Sequence, residues 1–152
     1  MAESRQPEGR QLFCRVITPE SMVFDGEVDR VIVRIADGDL GVLPDHYPVV
    51  STAEIGAVRI KQGDETRIFA TSDGFFKVSE NLALILVEEA VEAGEIDVEA
   101  AESRIEQIER ERAESAEESG GNEDSERAQR EFDRRVKISE NLVRVAREYG
   151  QG

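Results

Sequence analysis

Several things are scarce in this chain of 152 residues. A single cysteine, Cys14, excludes an internal disulfide and any zinc site built on a cysteine cluster. Tryptophan is absent, and six phenylalanines and two tyrosines are the only aromatics, so the core has to come mostly from Val, Ile, Leu and Ala. The longest apolar run is Leu82-Ala83-Leu84-Ile85-Leu86-Val87. It suits one buried strand and falls far short of the roughly 20 residues of a membrane span. Met1 to Gln11 is polar, without the apolar stretch of a secretory signal or the Arg-rich, acid-poor character of a transit peptide. Basic residues are outnumbered 34 to 19 by acidic ones, leaving a net charge of −15. That balance argues against a general nucleic-acid binder, whose phosphate contacts need a net-positive face. The sequence reads as soluble, unexported and anionic.

What is present changes character near Gly94. All four prolines (Pro7, Pro19, Pro44, Pro48) and every Asp-Gly or Gly-Asp pair precede it. The first part reads as short strands. Leu12 to Ile17 is an apolar-rich run that stops at Thr18-Pro19, and Val31, Val33 and Ile35 recur at period two within Val28 to Ile35. Ile55–Lys61 and Thr66–Thr71 flank Gly63-Asp64, the kind of pair that closes a type II′ hairpin. Phe75–Val78 and Leu82–Glu88 flank Glu80-Asn81 as a second hairpin. Asp25-Gly26, Asp37-Gly38 and Asp73-Gly74 are further turn signals. Many short strands at this spacing predict an antiparallel sandwich or barrel.

The second part reads as two helices. Val98, Ala101, Ile105 and Ile108 recur at helical steps, and Asp97 is placed to accept an early backbone N–H as N-cap. Ser119-Gly120-Gly121-Asn122 supplies a stop, a turn and a new cap, and a second helix runs from about Glu123 to Tyr149. At 1.5 Å per residue each is roughly 30–40 Å long, which predicts an antiparallel hairpin appended to the β domain. Beyond Ile108 the first helix should pack weakly, because its next helical neighbour is Arg112. The second helix carries two apolar stripes: Phe132, Val136 and Val143 within about 40°, and Ile138, Leu142, Val145 and Tyr149 centred roughly 130° away. One stripe can face the first helix or the β domain. The other needs a further wall of the same protein or a partner, so the hairpin is expected to be marginally docked and able to trade contacts. Residues 95–126 carry 13 acidic and 3 basic side chains, and residues 127–152 carry 4 acidic and 7 basic. This contrast has two readings: attraction between the helices, which charge alone favours, or a basic face for an acidic partner.

Chemistry is hard to find. Cys14 lies mid-strand between Phe13 and Arg15, the place of a small buried thiol, and His46 lies in the loop Pro44-Asp45-His46-Tyr47-Pro48. No dinucleotide, phosphate-loop or H-E-x-x-H motif is present. The most constrained stretch is Asp37 to Val50, where two glycines and two prolines fix the backbone. It reads as a tight corner and also as a shaped contact loop, since a preset loop binds at low entropic cost.

These residues carry a family resemblance. Phe13-Cys14-Arg15-Val16-Ile17-Thr18-Pro19-Glu20, Val23 to Val28, the G-D-L-G-V-L-P-D-H-Y-P-V-V run from Gly38 to Val50, Asp73 to Val78 and the strand 82–87 resemble the epsilon subunit of bacterial-type F-type ATP synthases, counterpart of the mitochondrial delta subunit. The likeness covers about 11–93. The resemblance implies an α+β fold: a flexible N-terminus (1–10), an antiparallel β-sandwich of about ten short strands (11–93), and an antiparallel two-helix hairpin (94–152).

It further implies a non-catalytic rotor subunit with no cofactor and no metal site. Such a subunit is bound to the gamma subunit and rests on the c ring, peripheral to the cytoplasmic face of the bacterial plasma membrane, with the plastid thylakoid as the lesser alternative. No homo-oligomer is expected. Carried over residue by residue, the c-ring contact falls on the Gly38–His46 loop, chiefly Asp39 as an electrostatic contact, and His46. The family's hairpin can extend into the catalytic head, meet the alpha and beta subunits and inhibit ATP hydrolysis. Here the inhibitory contacts would be Arg130, Arg134, Arg135, Arg144 and Arg147. Some members bind ATP through I-D-x-x-R-A. This chain has Ile96, Asp97, Ala100 and Ala101 in that frame, with alanine at the arginine position and Arg104 one turn on, which argues against nucleotide sensing. The competing reading is a generic β-sandwich adaptor with a helical arm. An enzyme, resting only on Cys14 and His46, comes third.

Overall fold

A computed structural model describes residues 10–119 and 123–150. The N-terminal segment before Arg10 and the turn expected over 120–122 lie outside the described residues. The chain divides into two compact units, Met1–Glu92 and Ala93–Gly152.

The first unit has ten strands: β1 (Leu12–Ile17), β2 (Met22–Val28), β3 (Arg30–Ile35), β4 (Gly38–Val42), β5 (Val49–Ala53), β6 (Gly56–Gln62), β7 (Glu65–Thr71), β8 (Gly74–Ser79), β9 (Leu82–Val87) and β10 (Ala90–Glu92). They form two five-stranded sheets, ordered β2-β1-β9-β8-β5 and β10-β7-β6-β3-β4. Alternation explains the layering. Leu12, Cys14 and Val16 point inward from β1, Val31 and Val33 from β3, and Val58 and Ile60 from β6, all buried in one core with Phe69, Phe76 and Ile85. Phe24 and Phe69 meet edge-to-face across the two sheets with centroids 6.1 Å apart. The predicted sandwich is therefore the observed fold.

The hairpin turns follow their residues. Gly63, at φ 62, opens the β6–β7 turn, as type II′ requires. Glu80 and Asn81 both adopt positive φ (52 and 62) in a type I′ geometry joining β8 to β9. At Gly74 a Cβ would sit 2.0 Å from the Leu86 carbonyl oxygen, so only glycine lets β8 approach β9 there.

Three expectations are corrected. Asp25-Gly26 is not a turn but lies within β2, with Asp25 opposite Arg15 and Gly26 opposite Cys14. The stretch from Gly38 is not loop throughout, since Gly38–Val42 is strand β4, paired with β3. The sandwich is not wholly antiparallel, because β1 runs parallel to β9.

Strand β10 is short and is tied down by chemistry as well as by the ladder to β7. Arg67 Nε and Nη2 donate to Glu92 Oε2 and Oε1 at 2.9 and 2.8 Å, and the guanidinium lies over the rings of Phe24 and Phe69 at 5.2 and 5.5 Å. The hydrogen bonds from Arg67 hold the Glu92 carboxyl below its usual range, against a smaller opposing effect of burial. A carboxyl depressed in the folded state contributes stability above its unfolded pKa and loses that contribution as pH falls through its folded pKa. Glu92→Gln should therefore cost about 1 kcal/mol at neutral pH, and nothing once Glu92 is protonated in both the folded and the unfolded chain. Urea unfolding of both proteins at pH 7 and at acid pH measures the difference, and an equal cost at both would refute the role of the pair.

In the second unit a short 3₁₀ turn (Ala93–Glu95) precedes α1 (Val98–Ser119) and α2 (Glu123–Tyr149). Asp97 is the N-cap, its Oδ1 accepting from the Ala100 N–H at 3.0 Å. The helices run antiparallel, joined by Arg147–Glu102 at 3.0 Å, Arg135–Glu111 at 3.5 Å and an Arg112–Asp133 pair. Beyond Ile108, no residue of α1 through Glu118 is buried. On α2, Val136, Ile138, Leu142, Val143 and Val145 are buried, Phe132 is half-buried and Tyr149 is exposed.

Candidate functional site

Two surfaces of the sandwich and one of the hairpin are candidate sites. At the loop end of the sandwich, Leu43 to His46 form a turn in which Pro44 takes the first central position and Asp45 the second, at φ 66. The His46 N–H closes it on the Leu43 carbonyl at 3.2 Å, the geometry of a type II turn with aspartate where glycine or asparagine is usual. The αL position is secured by a reciprocal lock. The Asp45 N–H donates to Asn81 Oδ1 at 2.6 Å, Asn81 Nδ2 donates to Asp45 Oδ1 at 3.0 Å, and Arg10 reaches the same oxygen at 3.2 Å. The Asn81 carbonyl in turn accepts the Phe13 N–H at 2.9 Å. The loop is thus bolted to the β8–β9 turn and to β1. His46 donates from Nδ1 to the Tyr47 carbonyl at 2.7 Å, and its ring stacks on Tyr47 with centroids 4.6 Å apart.

Asp39 and His46 belong to different places. Asp39 is near the start of β4, opposite Arg34, and bonds Arg59 at 3.1 Å and Arg34 at 3.7 Å. Its carboxylate is held between two guanidiniums of its own sheet rather than presented from a loop tip. His46 lies past the far end of the strand, so the two do not form one cluster.

The outer face of the first sheet carries an exposed apolar row, bordered by the row that holds Arg15 and Lys77, a feature the sequence reading missed. Register aligns Ile17, Leu86, Phe75 and Thr52 in one row across β1, β9, β8 and β5. Phe75 is 58% exposed and Leu86 42%, with Phe13 at 43% and Val50 at 67% on the same face. The signal was present: Leu82–Val87 is apolar at every position, so its outward residues Leu84 and Leu86 call for a cover just as the inward ones do.

On the hairpin the five candidate arginines are spread along α2 and do not converge. Arg130 is exposed. Arg134 bonds Glu131 at 3.2 Å, and Arg135 pairs with Glu111 beside the Phe132 ring. Arg144 bonds Asn141 Oδ1 at 2.6 Å and Glu148 at 3.4 Å, and Arg147 reaches Glu102. Attraction between the helices, the plainer of the two charge readings, is therefore realised at Arg135 and Arg147. In the degenerate nucleotide frame Asp97 is occupied as N-cap, Ala101 is buried, Ala100 is exposed and carries no cation, and Arg104 is already engaged. A groove of about 410 Å³ between the helices is lined by Ile105 and Val143 with Glu102, Glu140 and Glu148 against Arg144 and Arg147. Its carboxylates outnumber its guanidiniums, a poor match for a triphosphate.

No catalytic centre is assembled among the described residues. Burial in the core pushes the Cys14 thiol up to about 12, with Asp25 adding to the shift, so it is neither a thiolate nor accessible. No group of three or more metal-ligating side chains occurs among the described residues. Nor is any described helix long and apolar enough to cross a membrane.

A family model described as "ATP synthase, Delta/Epsilon chain, beta-sandwich domain" matches residues 11–93. The chain belongs to this family. It is 63% identical over 145 residues to the ATP synthase epsilon chain of Rubrobacter xylanophilus, covering 95% of this chain and 98% of that one. It is 41% identical over 99 residues to the epsilon chain of Halalkalibacterium halodurans, covering 65% and 74%. Among solved structures, a chain of the Euglena gracilis mitochondrial ATP synthase, OSCP/F1/c-ring, superposes with a TM-score of 0.65 at 22% identity over 93% of this chain and 87% of that one. A chain of the Tetrahymena thermophila central stalk and c ring gives 0.58 at 16% identity, covering 89% and 98%. At these identities the two structures share the fold. As an ATP synthase epsilon chain of bacterial type, the protein is a non-catalytic subunit of that complex.

Proposed function

We propose that the chain is a rotor subunit that docks the gamma subunit on the outer face of its first sheet. The same reading has it meet the c ring through the Gly38–His46 region and regulate ATP hydrolysis through its hairpin. It would act at the cytoplasmic face of the plasma membrane, held there through the complex. The observation that carries the reading is the exposed row of Leu86 and Phe75, flanked by Phe13 and Val50. An exposed apolar row with a charged rim is what a protein interface buries. The locked turn at Asp45 supports the c-ring contact, since a preset corner with His46 and the 70%-exposed Tyr47 can meet a rigid partner without ordering cost. Asp39 would contact a basic group there only by exchanging it for Arg34 or Arg59.

Three features support the regulatory part. Two helix-joining ion pairs, Arg135–Glu111 and Arg147–Glu102, are solvent-exposed, α1 is unburied beyond Ile108 through Glu118, and the fully buried Ser139 Oγ has no hydrogen-bond partner among the described residues. An unpaired buried hydroxyl costs about 1–3 kcal/mol, so the hairpin is packed below its optimum and can exchange contacts with the alpha and beta subunits. Co-purification tests the assignment: alpha, beta and gamma should come down with the tagged chain, and recovery of the chain alone would sink it. The nucleotide frame gives a separate expectation. Calorimetric titration of the isolated chain with ATP should show no binding in the micromolar range, and a micromolar Kd would overturn the reading of Ala100 as a missing phosphate partner.

A further inference from the structure

The outer face of the second sheet is basic along β3, β4 and β6, and apolar along β7 and β10, where Ile68, Ala70 and Val91 point outward. Val31, Val33, Val58 and Ile60 point inward, so the alternate residues Arg30, Ile32 and Arg34 of β3 and Ala57, Arg59 and Lys61 of β6 point outward. On β4 the outward positions are Asp39 and Gly41. The face therefore gathers four cations, and Asp39 is the only carboxylate at an outward position of these three strands. Register places Arg30 directly opposite Lys61, a like-charged cross-strand pair. Such a pair is destabilising, and the fold gains nothing visible from it. Asp39 is shared between Arg34 and Arg59, while among the described residues Lys61 donates only to the Gly63 carbonyl, at 2.7 Å. Arg30 is exposed and forms no ion pair among the described residues.

We propose that this face docks an acidic segment of another subunit of the synthase. A flat row of outward guanidiniums and one ammonium suits carboxylates, which arginine binds with two parallel N–H donors. Size decides between an acidic protein segment and an anionic bilayer. Charges beyond about 8 Å are screened at physiological salt, so a short acidic segment senses the patch alone. A bilayer would meet the patch and much of the −15 surface together. The inference does not rest on where gamma docks, because the patch lies on the opposite sheet from the Phe75–Leu86 row.

Zero-length carbodiimide coupling joins a lysine amine to a carboxylate in contact with it. The chain has only three lysines, Lys61, Lys77 and Lys137, so the products are easily told apart by mass spectrometry. In the assembled synthase Lys61 should couple to an Asp or Glu of another subunit. In Arg30→Gln/Arg34→Gln, which keeps Lys61 as reporter and adds no carboxylate opposite it, the yield should fall about tenfold. The proposal is overturned if Lys61 couples only within its own chain, if the double variant couples as well as the parent, or if the full chain instead sediments with phosphatidylglycerol vesicles through these arginines.

Discussion

Phe75→Glu combined with Leu86→Glu should give a folded chain that no longer assembles into the synthase. Both side chains point away from the core, and their inward neighbours Phe76, Ile85 and Val87 are untouched. The stability cost is limited to strand propensity, same-face packing and the like-charged pair the two glutamates form between β8 and β9, about 2 kcal/mol in all. At an interface the same changes bury two unpaired carboxylates where aromatic and aliphatic anchors stood. Loss of a central anchor costs about 2 kcal/mol or more, so the pair should weaken association by roughly a thousandfold. Circular dichroism and urea midpoints establish the fold, and recovery of alpha, beta and gamma with the tagged variant measures assembly. Undiminished recovery would mean that the apolar row faces no subunit.

Deletion of residues 95–152 should raise ATP hydrolysis by the assembled enzyme several-fold. The sandwich core is drawn entirely from strands before Glu92, so the truncated chain keeps its docking face and loop corner. What is lost is an arm two of whose cations, Arg135 and Arg147, are held by exposed carboxylates of α1. Surface pairs of that kind are worth about 0–1 kcal/mol each, so another acidic surface can replace Glu102 and Glu111 at little cost. Steady-state hydrolysis by intact and truncated complexes, matched for subunit content, provides the measurement. Equal rates would remove the inhibitory role of the hairpin.

Much of this architecture could be read from local pattern. Strand β1, the two hairpins closed at Gly63 and at Glu80-Asn81, the Asp97 cap and both helices follow from alternation, turn chemistry and helical spacing. What escaped depended on which strands become neighbours. Asp25-Gly26 carries a turn signature, yet the pairing of β2 with β1 draws it into a ladder, and Asp25 reaches Arg15 at 3.1 Å. Asp39 looked free because Arg34 and Arg59 lie five residues before it and twenty after it, and only the order β6-β3-β4 brings all three together. The exposed apolar row likewise belongs to no single strand. It appears when Ile17, Leu86 and Phe75 line up.

The parallel pairing of β1 with β9 also sets an order of folding. Strand β1 sits between β2 and β9, and its second neighbour begins at Leu82, some seventy residues later in the chain. Until β9 has been synthesised, the first sheet lacks its middle and the core residues Leu12, Cys14 and Val16 have no complete cover. Such long-range closure is slow, because the entropy of forming the loop is paid before any contact rewards it. The two helices follow immediately in sequence, so they leave the ribosome just as the sandwich becomes able to close. A nascent chain arrested before β9 should remain protease-sensitive, and one arrested after the helices should not.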